Sequence, residues 1–241
     1  MSLLLVTRTQ SIPTEPGYGL LIDKPQGLTS FGVIRRLRRL LGIKKIGHAG
    51  TLDPMATGLL ICLVGRAATR QQDHFMGLPK TYTGTLRLGQ TTPSYDAETD
   101  IDVRVSVPGV LDPEQVEAAR QQFVGDIEQV PPVFSAIKKG GERLYKKARR
   151  GEDVDIEPRR VTVSSFTLAP PRRVIPDTLD LDFSVGCSKG TYIRSLAHDL
   201  GQALGYGAHL VALRREGIGP HCVADAWTLD GLEAHLGGAQ H

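Results

Sequence analysis

The sequence predicts a mixed α+β protein, and three observations carry that reading. Short runs with strand character are scattered along the whole chain, at 18–24, 59–64, 81–88, 161–168 and 179–185. Two other stretches place apolar residues at helical spacing between clear start and stop signals. The two kinds of element alternate irregularly, without the even beat that a doubly wound parallel sheet requires.

Taken in order, residues 1–17 are polar and contain Pro13 and Pro16, so they read as a loose arm. Tyr18 to Lys24 reads as a short strand that stops at Pro25 and Gly27. Thr29 or Ser30 can cap a helix that runs to Leu41 and ends at Gly42. Val33, Ile34, Leu37, Leu40 and Leu41 form its apolar stripe, with Arg35, Arg36, Arg38 and Arg39 mostly opposite. Gly47 to Gly58 has three glycines, Pro54 and no periodicity, and reads as a structured loop. Leu59 to Val64 reads as a buried strand, and Thr81 to Leu88 as another.

Asp112, with Pro113 and Glu114 behind it, announces a helix to about Phe123. Arg143 to Arg150 reads as a short basic helix ended by Gly151. Val161 to Leu168 is strand-like, and so is Leu179 to Val185, where apolar and polar residues alternate. From Thr191 a second helix carries Ile193, Leu196, Ala197, Leu200 and Leu204 on one face and closes near Gly205. Pro170, Pro171 and Pro176 mark a turn region rather than a domain boundary.

Composition excludes several classes. The 241 residues suffice for one or two domains with a sizeable core. No apolar run exceeds six residues, too few to span a bilayer, and no secretory signal opens the chain. Cys62, Cys187 and Cys222 are scattered and odd in number, which argues against a disulfide framework or zinc ribbon and for a reducing, cytoplasmic compartment.

The net charge of +3 is unevenly distributed. Basic residues gather in two bursts, one from Arg35 to Lys45 and one from Lys138 to Arg150, while residues 81–130 are acidic. Arginine dominates the basic set, which suits bidentate phosphate contacts and stacking on bases. A polyanion such as RNA fits two such patches, and so do two solvated helix faces.

Walker, dinucleotide-binding, zincin and nucleophile-elbow motifs are all missing. His221 adjoins Cys222, but no second Cys or His sits at the spacing a zinc site needs. What remains is Gly47-His48-Ala49-Gly50-Thr51-Leu52-Asp53-Pro54-Met55-Ala56-Thr57-Gly58. Its single carboxylate, Asp53, stands before a proline and just ahead of a buried strand. An acid fixed on such a loop is a candidate nucleophile or general base. An Asp-Pro turn whose side chain caps local N–H groups would show the same spacing.

That twelve-residue stretch resembles the catalytic motif of the TruB family of tRNA pseudouridine synthases, G-H-[TA]-G-[TA]-L-D-P-x-A-[TS]-G. The likeness continues through roughly residues 18–217. Lys24-Pro25-Gln26-Gly27-Leu28-Thr29-Ser30 is similar to the family's opening motif, and Lys80-Thr81-Tyr82 to its K-x-Y. Pro131 to Lys138, with Gly141, Arg143-Leu144-Tyr145 and Ala148-Arg149, resembles its P-P-x-[YF]-S-A-[IL]-K block. Cys187 to Arg194 resembles C-S-x-G-T-Y-I-R, and Gly205 to His209 with Leu213-Arg214-Arg215 resembles G-x-G-A-H-x-x-x-L-R-R.

The resemblance implies a pseudouridine synthase fold, with a mixed, largely antiparallel central sheet flanked by helices and loops. It implies isomerisation of uridine-55 in the TΨC loop of tRNA, without metal or organic cofactor, by a cytoplasmic monomer. Asp53 would be the catalytic carboxylate, with Arg194 as the cation that keeps it ionised inside a dry site. Tyr82 would stack on the extruded base, and Tyr192 and Leu213 would line the same pocket. His48 would enter the T-loop, while Lys24 and Lys189 would contact substrate or support the site. Lys146, Lys147, Arg149 and Arg150 would grip phosphates of the RNA arm.

The sequence also departs from the family pattern. Only a short extension, 218–241, follows the catalytic region at 18–217, so no PUA domain is expected. Thr92-Pro93-Ser94-Tyr95-Asp96 replaces the usual T-D-T-x-D, in a loop that reads as clear of the catalytic groups. Phe134 stands where tyrosine is common. A guide-RNA-dependent synthase and a non-catalytic tRNA-binding or folding protein are the alternatives.

Overall fold

The computed structural model describes residues 3–135, 138–139, 142–143, 150, 154 and 156–238. In chain order the strands begin with β1 (Leu5–Val6), β2 (Tyr18–Lys24), β3 (Ile46–His48), β4 (Thr57–Val64) and β5 (Lys80–Leu88). β6 (Gln90–Thr91), β7 (Val103–Arg104), β8 (Gly125–Gln129), β9 (Lys138–Lys139) and β10 (Glu142–Arg143) follow. β11 (Arg159–Leu168), β12 (Leu179–Cys187), β13 (Ala208–Ile218), β14 (His221–Cys222) and β15 (Trp227–Thr228) complete them. Among the described residues the α-helices are α1 (Ser30–Leu41), α2 (Gly65–Thr69), α3 (Gln72–Gly77), α4 (Pro113–Gln121), α5 (Ile193–Ala203) and α6 (Leu229–Gly238). These elements divide between two compact units, one holding the described residues up to Tyr82 and from Leu213 onward, the other Thr83–Ala212.

In the first unit β2 and β4 pair antiparallel from Tyr18↔Val64 to Lys24↔Gly58. From Leu59 to Val64 β4 is apolar without interruption, and both its faces are covered. Leu60, Cys62 and Val64 share one core with Leu20, Ile22 and the α1 residues Val33, Ile34 and Leu37. Leu59, Ile61 and Leu63 face the other way, onto Leu21, Ala49, Phe75 and Ile218. α1 begins as the capping signal predicts: the Thr29 hydroxyl accepts from the Gly32 N–H at 2.9 Å. It ends where Gly42 takes φ 67°, a left-handed conformation that suits glycine. β13 runs parallel to the start of β4, with Arg214↔Thr57 and Arg215↔Gly58 in register. A Cβ at Gly58 would stand 2.3 Å from the Arg215 carbonyl oxygen, so only glycine admits this approach.

Both flanking segments contribute to this unit. Within the arm, Leu5–Val6 pairs parallel with β2 and Val6 is wholly buried. Within the extension, β15 pairs with β2 through Trp227↔Ile22, and Leu229 and Leu232 complete the α1 core. The loop 47–58 is also shorter than its glycines suggest, because its first residues, Gly47 and His48, pair with β4.

The second unit orders its strands β13–β5–β12–β11–β8. β11 pairs antiparallel with both neighbours and carries a bulge between Val163 and Ser165 against β12. β12 shows the predicted alternation in Leu179, Leu181, Phe183 and Val185, all buried. Asp180 is buried as well, a position the alternation alone would expose. Arg87 explains it, donating Nε at 2.7 Å and Nη2 at 3.0 Å to the two carboxylate oxygens. α4 starts at the predicted cap, where Asp112 Oδ1 accepts from the Glu114 N–H at 3.0 Å.

The mixed, largely antiparallel sheet expected from sequence is thus present, and among the described residues no helix is long and apolar enough to cross a membrane. The basic helix expected over 143–150 falls almost wholly outside the described residues. Arg143, its first residue, belongs to β10.

Candidate active site

Asp53 is half-buried at the tip of a loop fastened on both its sides. On one side, the Ser30 hydroxyl donates to the Leu52 carbonyl at 3.0 Å and accepts from the Leu52 N–H at 2.8 Å. On the other, the Gly27 N–H donates to the Pro54 carbonyl at 2.8 Å. The Asp53 carbonyl itself accepts from the Ala56 N–H at 3.1 Å, which closes the turn. The local sequence explains this precision. Pro54 has no N–H to satisfy, Gly58 allows the entry into β4, and Ser30 is presented by the capped first turn of α1.

The sequence gives Lys24 the role of contacting substrate or supporting the site, and its side chain is fully buried. Its ammonium donates to the carbonyls of Leu28 at 2.6 Å, Pro25 at 3.0 Å and Pro54 at 3.4 Å. A buried ammonium needs such acceptors, so Lys24 ties the opening motif to the aspartate loop. Arg215 does the same from beneath, and its role goes undetected in the sequence. It is 1 % exposed and donates Nε to the Leu59 carbonyl at 2.7 Å and Nη2 to the Gly50 carbonyl at 3.1 Å. Its neighbour Arg214 forks onto Asp23 at 3.0 and 2.8 Å. The paired arginines of the L-R-R segment were the available signal, but nothing local indicates that one of them points inward.

The other expected residues of the first unit are His48, Tyr82 and Leu213. Tyr82 and Leu213 are each 9 % exposed, on β5 and β13, and the Leu213 carbonyl accepts from the Thr57 hydroxyl at 3.5 Å. Lys80, two residues before Tyr82, spends its ammonium on the carbonyls of Met76 and Leu78. The His48 carbonyl accepts from the Gln72 side-chain amide at 3.0 Å. Its Nδ1 is buried without a hydrogen-bond partner among the described residues. Burial first, and the Arg215 guanidinium second, push its imidazole pKa down, so the ring is neutral at pH 7. Beside it lies an open pocket of about 490 Å³ lined by Lys45, Arg66, Arg70 and Gln72, among others. Arg66 and Arg70 were missed in the sequence because they stand outside both charge bursts. Their spacing of four across a short helix is the signal that puts them on one side.

In the second unit Arg194 opens α5 and is 6 % exposed. Its Nη1 donates to the Ser94 carbonyl at 3.1 Å and its Nη2 to the Phe134 carbonyl at 3.0 Å. Asp96 Oδ2 lies 3.3 Å from Nη1, an ion-pair distance without hydrogen-bond alignment. The loop 92–96 reads in the sequence as clear of the catalytic groups, yet it supplies two contacts to Arg194. Chain separation of about a hundred residues hides this from any local pattern.

Asp96 is itself fixed, its Oδ1 accepting from the Ser94 hydroxyl at 2.6 Å and the Glu98 N–H at 3.0 Å. Tyr192, just ahead of α5, is held by two hydrogen bonds to the Gln129 side-chain amide, its N–H donating to Oε1 at 2.7 Å and its carbonyl accepting from Nε2 at 3.0 Å. Lys189 is exposed on a turn where Gly190 takes φ 84°. Arg150 is exposed and pairs with Glu142 at 2.8 Å, while Lys146, Lys147 and Arg149 lie outside the described residues. Among the described residues no cluster of His, Cys, Asp and Glu could hold a metal ion.

The structure therefore groups Asp53, Lys24, His48, Tyr82 and Leu213 in one unit, and Arg194, Tyr192 and Lys189 in the other. Comparison with known proteins gives these residues a common context. Residues 38–193 match the TruB family pseudouridylate synthase N-terminal domain, and residues 194–240 match the tRNA pseudouridylate synthase B C-terminal domain. A tRNA pseudouridine synthase B of Opitutus terrae is 51% identical over 215 residues, covering 89% of this chain and 86% of its own. One from Thermobifida fusca is 49% identical, covering 90% and 74%, and one from Flavobacterium johnsoniae is 47% identical, covering 91% and 96%.

Among solved structures, an archaeal box H/ACA sRNP Nop10-Cbf5 complex is similar with a TM-score of 0.65 and 27% identity. That match covers 92% of this chain and 55% of the other, so the chain spans about half the length of that structural relative. With the family matched along most of its length, and with the aspartate motif on a tightly held loop, this chain belongs to the TruB family of pseudouridylate synthases, which are isomerases.

Proposed function

We propose that the chain converts uridine to pseudouridine in tRNA, at uridine-55 of the TΨC loop, with Asp53 as the catalytic carboxylate. The observation that carries this reading is the clamping of Asp53 from both sides by Ser30, Gly27 and Lys24. Such investment in one backbone position suits an acid whose oxygen must meet a reacting atom within a few tenths of an ångström. The relatives named tRNA pseudouridine synthase B support tRNA as the substrate class.

In the reaction the C1′–N1 bond breaks, the uracil turns, and C5 bonds to C1′. C5 then loses its proton to solvent while N1 gains one, so atoms balance without a cofactor. Asp53 serves as the ionised carboxylate that assists at sugar or base. Arg194 is its cation, countering the desolvation that a flipped base imposes. Tyr82 stacks on the extruded base, and Tyr192 and Leu213 bound the pocket. His48, neutral by burial, enters the T-loop among unstacked bases without bringing a charge. Lys189 and the basic segment with Lys146, Lys147, Arg149 and Arg150 contact phosphates, and the protein acts as a cytoplasmic monomer.

Tritium release from C5-labelled uridine in a tRNA transcript tests this reading, wild type against Asp53→Asn. Release by the wild type and none by the variant is expected; equal release by both would remove Asp53 from the chemistry. A second reading, action directed by a guide RNA, is favoured by the similarity to the box H/ACA complex. Release from bare tRNA without any guide excludes it.

A further inference from the structure

α5 carries Arg194 and, four residues on, His198, so both side chains project from one face of the helix. The loop 92–96 meets both. Ser94 and Asp96 engage the Arg194 guanidinium, and Tyr95 between them lays its ring on the His198 imidazole. The ring centroids are 3.8 Å apart and the planes 14° from parallel.

Tyr95 has φ 63°, a left-handed conformation that a tyrosine adopts only under constraint from its surroundings. Its N–H donates to the Thr92 carbonyl at 3.1 Å and its carbonyl accepts from the Leu210 N–H at 3.0 Å. A turn of this shape would be served by glycine or asparagine at no cost. A large ring held there in a strained backbone therefore has a use beyond the turn. On the partner ring, His198 Nδ1 is buried with no hydrogen-bond partner among the described residues, and the ring's face is taken by Tyr95.

We propose that the Tyr95–His198 stack is a positioning clip for Arg194. By pinning the middle of the loop to the helix one turn beyond Arg194, it keeps the Ser94 carbonyl and the Asp96 carboxylate against the guanidinium. Neither ring touches substrate in this role; both act through Arg194. The inference rests on the proposed role of Arg194 as the cation of Asp53.

Tritium-release kinetics on a tRNA transcript test it with Tyr95→Gly, Tyr95→Phe, His198→Ala and the double variant Tyr95→Gly/His198→Ala, each checked for folding by circular dichroism. Tyr95→Gly relieves the backbone strain and removes the ring, so a purely structural tyrosine would be replaced without loss. The clip predicts instead that kcat falls about tenfold with KM within about twofold of wild type. Tyr95→Phe, which keeps the ring, restores the rate. His198→Ala matches Tyr95→Gly, and the double variant is no slower than either, because the two residues form one interaction.

Wild-type kcat in Tyr95→Gly, or losses that multiply in the double variant, would overturn the clip. If Tyr95→Gly does not fold, His198→Ala against wild type decides in the same terms. Arg194→Ala separates the two claims. If it is active, the proposed role of Arg194 fails; if it is inactive while Tyr95→Gly is normal, only the clip fails.

Discussion

The hydroxyl of Ser30 and the backbone of Leu52 form a reciprocal pair, the hydroxyl donating to the carbonyl at 3.0 Å and accepting the N–H at 2.8 Å. Leu52 immediately precedes Asp53, so the first turn of α1 sets the position of the aspartate loop. Ser30→Ala leaves both Leu52 groups buried without their partner. Unfolding in urea should show a loss of about 2 kcal/mol, and the rate of tritium release should fall about tenfold. Unchanged kinetics in a folded variant would mean that the loop holds its place by other bonds.

Asp96 is a buried counter-charge of Arg194. Asp96→Asn keeps the Oδ1 acceptor for Ser94 and Glu98 but removes this negative charge from beside the guanidinium. Removing one partner of a buried ion pair costs about 3–5 kcal/mol. Chemical denaturation should register that loss, and kcat should fall more than it does in any variant of Tyr95.

Burial pushes the Asp199 carboxyl up to about 6. The folded state therefore holds a proton that the unfolded state has already released between roughly pH 4 and 6. Stability from this group is greatest below that window and declines as pH rises through 6. Asp199→Asn removes the charge at all pH values. After allowance for its partial exposure, it should raise stability by about 1 kcal/mol at pH 8 and leave it unchanged near pH 4. Thermal unfolding at the two pH values checks the sign.

Lys45, Arg66 and Arg70 line one open pocket beside His48. Replacing Arg66 and Arg70 with glutamine should weaken tRNA binding at low salt and lower the slope of log Kd against log salt by about 1 to 2. Neutralising Lys146, Lys147, Arg149 and Arg150 together should lower it further. A slope that stays at the wild-type value in either set would place that set off the RNA.

Much of the fold was legible because local rules decided it. The caps of α1 and α4, the stop at Gly42 and the alternation of β12 each rest on a few neighbouring residues. The apolar run of β4 announced a strand covered on both faces, and it has two cores, one on each side. The aspartate motif was equally legible, as twelve contiguous positions. Charge was less informative. Arg194, Arg215 and Lys24 look in sequence like any other surface cations, and all three are buried.

The chain's own order of residues settled which segments become helix or strand and which loop bears the single candidate carboxylate, since those follow from nearest neighbours and periodicity. The partners of its buried charges were settled elsewhere. Lys24 reaches Pro54, Arg215 reaches Gly50, and Arg194 reaches Ser94 and Asp96, across about 30 to 165 positions. A buried cation takes whichever carbonyls and carboxylates the packed backbone sets around it, and only folding brings those acceptors within 3 to 3.5 Å.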